Sequence, residues 1–401
     1  MSNRSPTRCG AVVPSVPDPS LRVLLTNRVL AYRSGTELYV RDVALALLRR
    51  GHRPTIYSPR LGPLASEVRR ETIPVVDDLA RMSEPPDIIH GHHGVETLTA
   101  LLAFPRAPAV SVCHSWVGWA DEPVPFPRIH RYLAVDDTCR HRLVAEHGIP
   151  PERVDVVLNA VDLRRFRPRA PLPLRPSRAL IFSNSSAETA PHVRAIREAC
   201  GRAGIAVDIA GFKAGTQLER PEDALGSYDL VFAKARAALE AAAVGTAVVL
   251  CDVAGAGPMV TTGNFGTLRR LNFGMRALRD TPAPDAIGRE IARYDAADAA
   301  AVSRQVRDLA GEDALLDQLL AIYAEAIAEG RTRVVDPEAE LRAAAAYLRR
   351  LSPKLYERDL LRIAFGRLLR VPVAGAWLRR RARREHSTHW FQELLRALDG
   401  E

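Results

Sequence analysis

Short apolar runs separated by helix-length segments recur along this chain, and one proline-dense stretch divides them into two series. The first series is Arg22-Val-Leu-Leu-Thr, Thr55-Ile-Tyr-Ser, Asp87-Ile-Ile-His, Ala109-Val-Ser-Val-Cys, Arg131-Tyr-Leu-Ala-Val and Val154-Asp-Val-Val-Leu. The second is Arg178-Ala-Leu-Ile-Phe, Ile205-Ala-Val-Asp-Ile, Asp229-Leu-Val-Phe and Thr246-Ala-Val-Val-Leu. Strands this apolar must be covered on both faces, and strand–helix alternation supplies the cover through parallel pairing. Between the series, Phe166-Arg-Pro-Arg-Ala-Pro-Leu-Pro-Leu-Arg-Pro has four prolines and no periodicity, which reads as a stiff linker. The expected architecture is α/β: a Rossmann-like domain at 21–165, a linker at 166–177, a second Rossmann-like domain at 178–330, and a basic helical extension at 331–401. Two such domains facing each other leave a cleft between two sets of strand ends.

The length of 401 residues agrees with two cores, since a single core stops growing near ~250–300 residues. Cys9, Cys113, Cys139, Cys200 and Cys251 are odd in number and widely spaced without a CxxC, which points away from a disulfide framework or zinc site and toward a reducing cytoplasm. The Pro- and Ser-rich residues 1–20 read as a disordered tail, because Pro14 cuts their one apolar run, Ala11-Val-Val, too short for a signal-peptide core. No window reaches the ~18 uninterrupted apolar residues of a membrane-spanning helix.

The net charge of +9 raises the question of nucleic acid, but residues 331–401 alone hold 16 Lys+Arg against 9 Asp+Glu, leaving the body almost neutral. With no zinc-finger spacing and no aromatic-basic RNA platform, no nucleic-acid partner is expected. Apolar stripes at Leu361, Phe365 and Leu368 and at Trp390, Phe391, Leu394, Leu395 and Leu398 admit two readings. In one they pack on the body while arginines face water. In the other, residues 354–398 lie on an anionic membrane, with Trp377 and Arg379-Arg-Arg-Ala-Arg-Arg at the interface.

Two loops and one helix carry the chemistry. After the first strand, Tyr32-Arg-Ser-Gly-Thr-Glu leads into a helix closed by Gly51. In Leu239-Glu-Ala-Ala-Ala-Val-Gly, Glu240 follows a parallel strand near the carboxyl edge of the sheet, where open α/β sheets bind ligands. A carboxylate there accepts two hydrogen bonds from a ribose diol; the macrodipole alone also favours a Glu near a helix start. The chain has only three lysines, and Lys213 and Lys234 each follow a strand of the second domain, where cations meet phosphates. Arg236, two residues on, adds a third cation, and Asn184 in Ser183-Asn-Ser-Ser-Ala-Glu adds a polar side chain. Gly255 and Gly257 in Val253-Ala-Gly-Ala-Gly-Pro are candidates to present backbone amides to a phosphate.

These pieces, in this order, resemble the glycosyltransferase family 4 type of GT-B enzyme. The matching segments are Leu48-Arg-Arg-Gly-His, Asp87-Ile-Ile-His-Gly-His-His, Pro108-Ala-Val-Ser-Val-Cys-His, Gly148-Ile-Pro-Pro-Glu-Arg-Val, Asn159-Ala-Val-Asp-Leu-Arg-Arg-Phe and the Glu240 segment, across roughly residues 21–330. The resemblance implies a nucleoside-diphosphate sugar held by the second domain and an acceptor held by the first, with no metal or other cofactor and with retention of anomeric configuration. It matches Glu240 to the ribose-binding carboxylate, Gly35 to the first-loop glycine that lets backbone approach phosphate or acceptor, and His114 to a histidine contacting the transferred sugar. This chain departs from the pattern in two places: Phe232 stands eight positions before Glu240 where the family has a second glutamate, and the Ser183 loop lacks the family's Arg and Lys.

His90, His92 and His93 lie close together, but no carboxylate pairing at ligand spacing completes a metal site, and no Asp-x-Asp motif is present. Two non-transferase readings stand beside the transferase: a GT-B-fold sugar-nucleotide epimerase, and a fold-mate that binds a nucleotide or partner without chemistry. The aromatic segment Ser115-Trp-Val-Gly-Trp-Ala-Asp-Glu-Pro favours an acceptor and hence a transferase.

Overall fold

A computed structural model describes residues 20–370 of the chain. The tail expected at 1–20 lies outside them apart from Ser20, as do Trp377, the 379–384 arginine run, the Trp390 stripe and the side chains of Leu361, Phe365 and Leu368. The first sheet comprises β1 (Arg22–Thr26), β2 (Arg53–Tyr57), β3 (Val75–Val76), β4 (Ile88–His92), β5 (Ala109–Cys113), β6 (Ile129–Ala134) and β7 (Val154–Val156). Every pairing in it is parallel, in the order β3-β2-β1-β4-β5-β6-β7. The order reverses between β1 and β4, and a crevice for ligands opens at the carboxyl ends of such a pair.

The second sheet contains β8 (Arg178–Phe182), β9 (Ala206–Ala210), β10 (Leu230–Ala233), β11 (Ala247–Asp252) and β12 (Gly255–Met259), in the order β12-β11-β10-β8-β9. Leu230 and Phe232 point into one apolar cluster while Val231 and Ala233 point into another, so a fully apolar run is buried from both sides. Burying a side chain such as Phe232 completely contributes about 1.5–3 kcal/mol. The reversal here falls between β8 and β10, which places Ser183 and Lys234 at the mouth of the second crevice.

The linker and the C-terminal helices divide differently from the sequence reading. Val161, expected in the first domain, and Phe166, expected at the start of the linker, are buried in the core of the second. The helix Glu312–Thr332, expected for the most part in the second domain, returns to the first: Leu316, Leu319, Ile322, Tyr323 and Ala326 join its core, and Ala344 and Tyr347 of the following helix Pro337–Arg370 join them. An amphipathic stripe shows that a helix must be covered without specifying which core covers it. Gly311 marks the crossing, where an added Cβ would stand 3.1 Å from Leu163. The helix Pro337–Arg370 is anchored on the first domain by the buried Arg128–Glu340 pair, 2.5 Å, and by Lys354 on Glu122. Among the described residues, no helix is long and apolar enough to cross a membrane.

Candidate active site

A cavity of about 240 Å³ lies between the two domains, where their carboxyl edges face each other. The first domain lines it with Gly35, Tyr39, Asp42 and His114, and the second with Lys234, Ala235, Arg236 and Asn272. Gly35 opens the helix Gly35–Arg49, and a Cβ there would meet nothing within 4 Å, so what glycine leaves is open cleft. Asn159 and Asn272 also line the cavity, and their side-chain oxygens are enclosed without a described protein donor.

Lys234 caps the start of the helix Ala235–Val244, and its ammonium lies 3.3 Å from Asp252. Asp252 is buried and also accepts 2.6 Å from the Ser183 hydroxyl, so the first and last parallel strands of this sheet meet at one carboxylate. Ala235 holds φ 49° beside it and donates its backbone N–H to Phe273 at 2.8 Å. Non-glycine residues visit this region rarely, and such strain collects at functional sites. Lys213 stands in the short turn after β9, outside the cavity lining; burial lowers the pKa of His192, Asp252 opposes the shift, and Lys213 and Lys234 add to it.

Glu240 is placed differently from the sequence expectation. It sits mid-helix, buried, with its carboxylate on Arg236 Nε at 2.7 Å, and it is not among the cavity-lining residues. Burial raises its pKa and Arg236 partly offsets the rise. Arg236 also pairs with Asp42 of the first domain, so a continuous ion relay runs from Arg41 through Asp42 and Arg236 to Glu240 across the cleft. Burial pushes Asp42 up as well, but Arg236 and Arg41 more than compensate, and its pKa ends below the ordinary value.

Three further sequence candidates have structural work. Asn184 donates to the Arg33 carbonyl at 3.3 Å and accepts from Phe212 N at 3.1 Å, tying the first loops of the two domains together. Gly255 and Gly257 lie in β12, an antiparallel edge strand outside the cavity lining. A Cβ on Gly257 would stand 2.4 Å from the Ala277 carbonyl oxygen and one on Gly255 3.0 Å from that of Leu278, so both glycines serve backbone packing.

His114 stands just beyond β5 in a file of rings. His90 stacks on His92 with centroids 4.6 Å apart, and His114 lies edge to edge with His92, their planes within 20° and their centroids 4.9 Å apart. Tyr39 packs edge-on against His92 and His114, and Tyr323 bonds His90 Nδ1. Burial lowers His90 and His114 to about 3, lowers His93 to about 4 with Arg28 adding to the effect, and takes His92 well below its ordinary value. All four rings are therefore neutral at pH 7. Among the described residues no three acidic, histidine or cysteine side chains gather as metal ligands. The alternation rule was the available signal: His90 and His92 share one face of β4, and the register pairs His92 with Val112, two residues before His114.

The aromatic segment carries one interdomain contact and one enclosed acid. Trp116 is partly exposed and donates its indole N–H to Glu146 at 2.9 Å, while the Arg276 guanidinium of the second domain lies 5.0 Å over its ring. Asp121 is buried near His93 and His114, and burial raises it to about 6 against the opposing pull of the His114 amide, Arg142 and Arg28.

Two facing Rossmann-like domains with a cleft at their carboxyl edges define the GT-B fold. Residues 33–165 match the family model Glycosyltransferase Family 4, so the resemblance read from the sequence is supported for the first domain. No curated protein matches the chain by sequence. The solved glycosyltransferase from Rickettsia africae ESF-5 superposes with a TM-score of 0.54 at 13% identity, covering 77% of this chain and 99% of that one. The catalytic domain of Starch Synthase IV from Arabidopsis thaliana, bound to ADP and acarbose, gives 0.48 at 12% identity over 77% and 100%. MurG from Acinetobacter baumannii gives 0.45 at 14% over 76% and 99%.

Proposed function

We propose that the protein is a glycosyltransferase that takes a sugar from a nucleoside-diphosphate sugar in the second domain and delivers it to an acceptor held by the first. The observation that supports this most is the placement of His114 on one wall of the cleft and of Lys234 and Arg236 on the other, at the crevices of both sheets. Negative charge builds on the diphosphate as the glycosidic bond breaks, and preorganised cations and amides aimed at that charge supply most of the acceleration. Lys234 and Arg236, at the start of the helix Ala235–Val244, are the cations on the cavity wall that meet this charge, with Lys213 outside the lining. The residues fit a reaction without a divalent ion, because the cleft supplies its own cations, and the family resemblance implies retention of configuration. The cavity is smaller than the ~300–1,000 Å³ of ordinary ligand pockets, so donor entry requires the domains or the Arg236 side chain to move.

A second reading, a fold-mate that binds without chemistry, is favoured by the engagement of Glu240 with Arg236. Incubation with UDP-, GDP-, ADP-, CDP- and dTDP-sugars, following release of the nucleoside diphosphate, separates the two. The transferase releases one diphosphate, and more slowly when His114→Ala replaces the wild type; binding without release supports the second reading. Association with an anionic membrane through residues 354–398 belongs to the same proposal. Its support is the exposed apolar residues Leu355, Tyr356 and Leu360, and co-sedimentation with anionic but not neutral vesicles is its test.

A further inference from the structure

We propose that His92 is the positioning residue for His114: it donates its Nδ1 proton to His114 Nε2 and thereby fixes His114 as a neutral ring that carries its own proton on Nδ1 and acts as a hydrogen-bond donor in the cleft. This deepens the transferase reading and rests on it for its functional meaning. The two nitrogens are 2.7 Å apart, and both rings are neutral, so one of them donates and the other accepts. If His92 Nδ1 accepted, the proton of His92 would sit on Nε2, which is buried with no described protein acceptor in reach. If His92 Nδ1 donates, Nε2 keeps only an unused lone pair. A buried N–H without an acceptor costs more than a buried lone pair without a donor, and it is the rarer of the two in folded proteins.

The geometry leaves His92 little freedom to do otherwise. The Thr26 hydroxyl donates 2.9 Å to the His92 carbonyl oxygen while the His92 amide donates 2.8 Å to the same hydroxyl, clamping its backbone between β1 and β4. Its ring is held between His90 and His114 with Tyr39 against the edge. Gly91 beside it has Thr97 where a Cβ would go, 2.5 Å away, so the strand cannot shift toward that helix. His114 lines the cavity, and its Nδ1 is not one of the enclosed, unpartnered nitrogens. A ring proton on Nδ1 gives the cleft a donor for a hydroxyl or phosphate oxygen and denies it a general base at that position.

The test is 15N NMR of the full-length protein labelled at histidine, with the His114 resonances assigned by their loss in His114→Gln. A protonated Nδ1 and an unprotonated Nε2 on His114 is the result expected. A protonated Nε2 overturns the proposal, and this reading needs no substrate and no altered residue beyond the assignment. In turnover, His92→Leu is expected to lower kcat about 100-fold with KM little changed. His92→Asn, whose amide nitrogen occupies the place of Nδ1, is expected to restore most of the rate, and loss of rate in both alike overturns the positioning role. If the NMR result is as expected and no donor sugar is ever cleaved, the hydrogen-bond assignment stands while the transferase reading falls.

Discussion

Arg236 in the second domain reaches Asp42 in the first, and the same guanidinium holds Glu240 behind it at 2.7 Å. Asp42 and Arg236 are each 16% exposed at the side chain, so this bridge is far drier than another interdomain pair, Arg270 with Asp137, which is 59% and 32% exposed. Truncating one member of a buried pair leaves its partner charged and unsolvated. Asp42→Ala and Arg236→Ala are each expected to cost about 3–5 kcal/mol, with a coupling in the double mutant of about 0.5–3 kcal/mol. Arg270→Ala is expected to cost less than about 1 kcal/mol. Urea unfolding of the set measures both, and strictly additive losses at Asp42 and Arg236 would contradict the relay.

Acid should weaken the fold through the histidine rings. His90 and His114 lie at about 3 and His93 at about 4 in the folded chain, all below the ordinary 6.5. Between those values the unfolded chain binds more protons, so the stability these rings contribute is complete above about pH 6.5 and is lost as pH falls. Each buried ring accounts for about 1.4 kcal/mol per pH unit in that window. Asp121, raised to about 6 by burial, acts in the opposite sense, because the folded chain keeps its proton below that pH. Comparison with His90→Phe isolates one ring. The stability of the wild type relative to that variant should decline from about pH 6.5 to about pH 4, and a difference independent of pH would rule the account out.

Gly257→Ala tests the reassignment of the glycine pair. The new Cβ would meet the Ala277 carbonyl oxygen at 2.4 Å and Leu250 Cβ at 3.2 Å, an overpacking expected to cost about 1–3 kcal/mol. Nucleotide affinity, measured by titration calorimetry below the lowered melting point, should be unchanged. A selective loss of affinity at full stability would return the glycines to the site.

The two sheets were legible because parallel strands buried on both faces must be apolar throughout, as Val231, Phe232, Val248 and Val249 are. Lys234 and His114 were legible because both follow a strand at its carboxyl end. The strand Gly255–Met259 was not, since Gly-Ala-Gly-Pro-Met has no strand preference of its own and pairs only because β11 offers an edge. The return of the helix Glu312–Thr332 to the first domain and the reach of Arg236 to Asp42 depend on how the two domains meet. No local pattern in a sequence encodes that contact. The engagement of Glu240 by Arg236 had a local trace, the spacing of four residues between opposite charges on one helix, which also identifies a routine helix-stabilising pair.

If the cleft is a donor site, it receives a nucleoside diphosphate through the cations of the second domain. Thermal unfolding of the wild type and of Lys234→Met, each with UDP, GDP, ADP, CDP and dTDP, tests it most directly. A ligand at roughly 100 times its dissociation constant adds about 2.7 kcal/mol to the folded state. One diphosphate is expected to raise the melting temperature of the wild type and to lose most of that effect in the variant. If no diphosphate moves the wild type, the cleft is not a donor site.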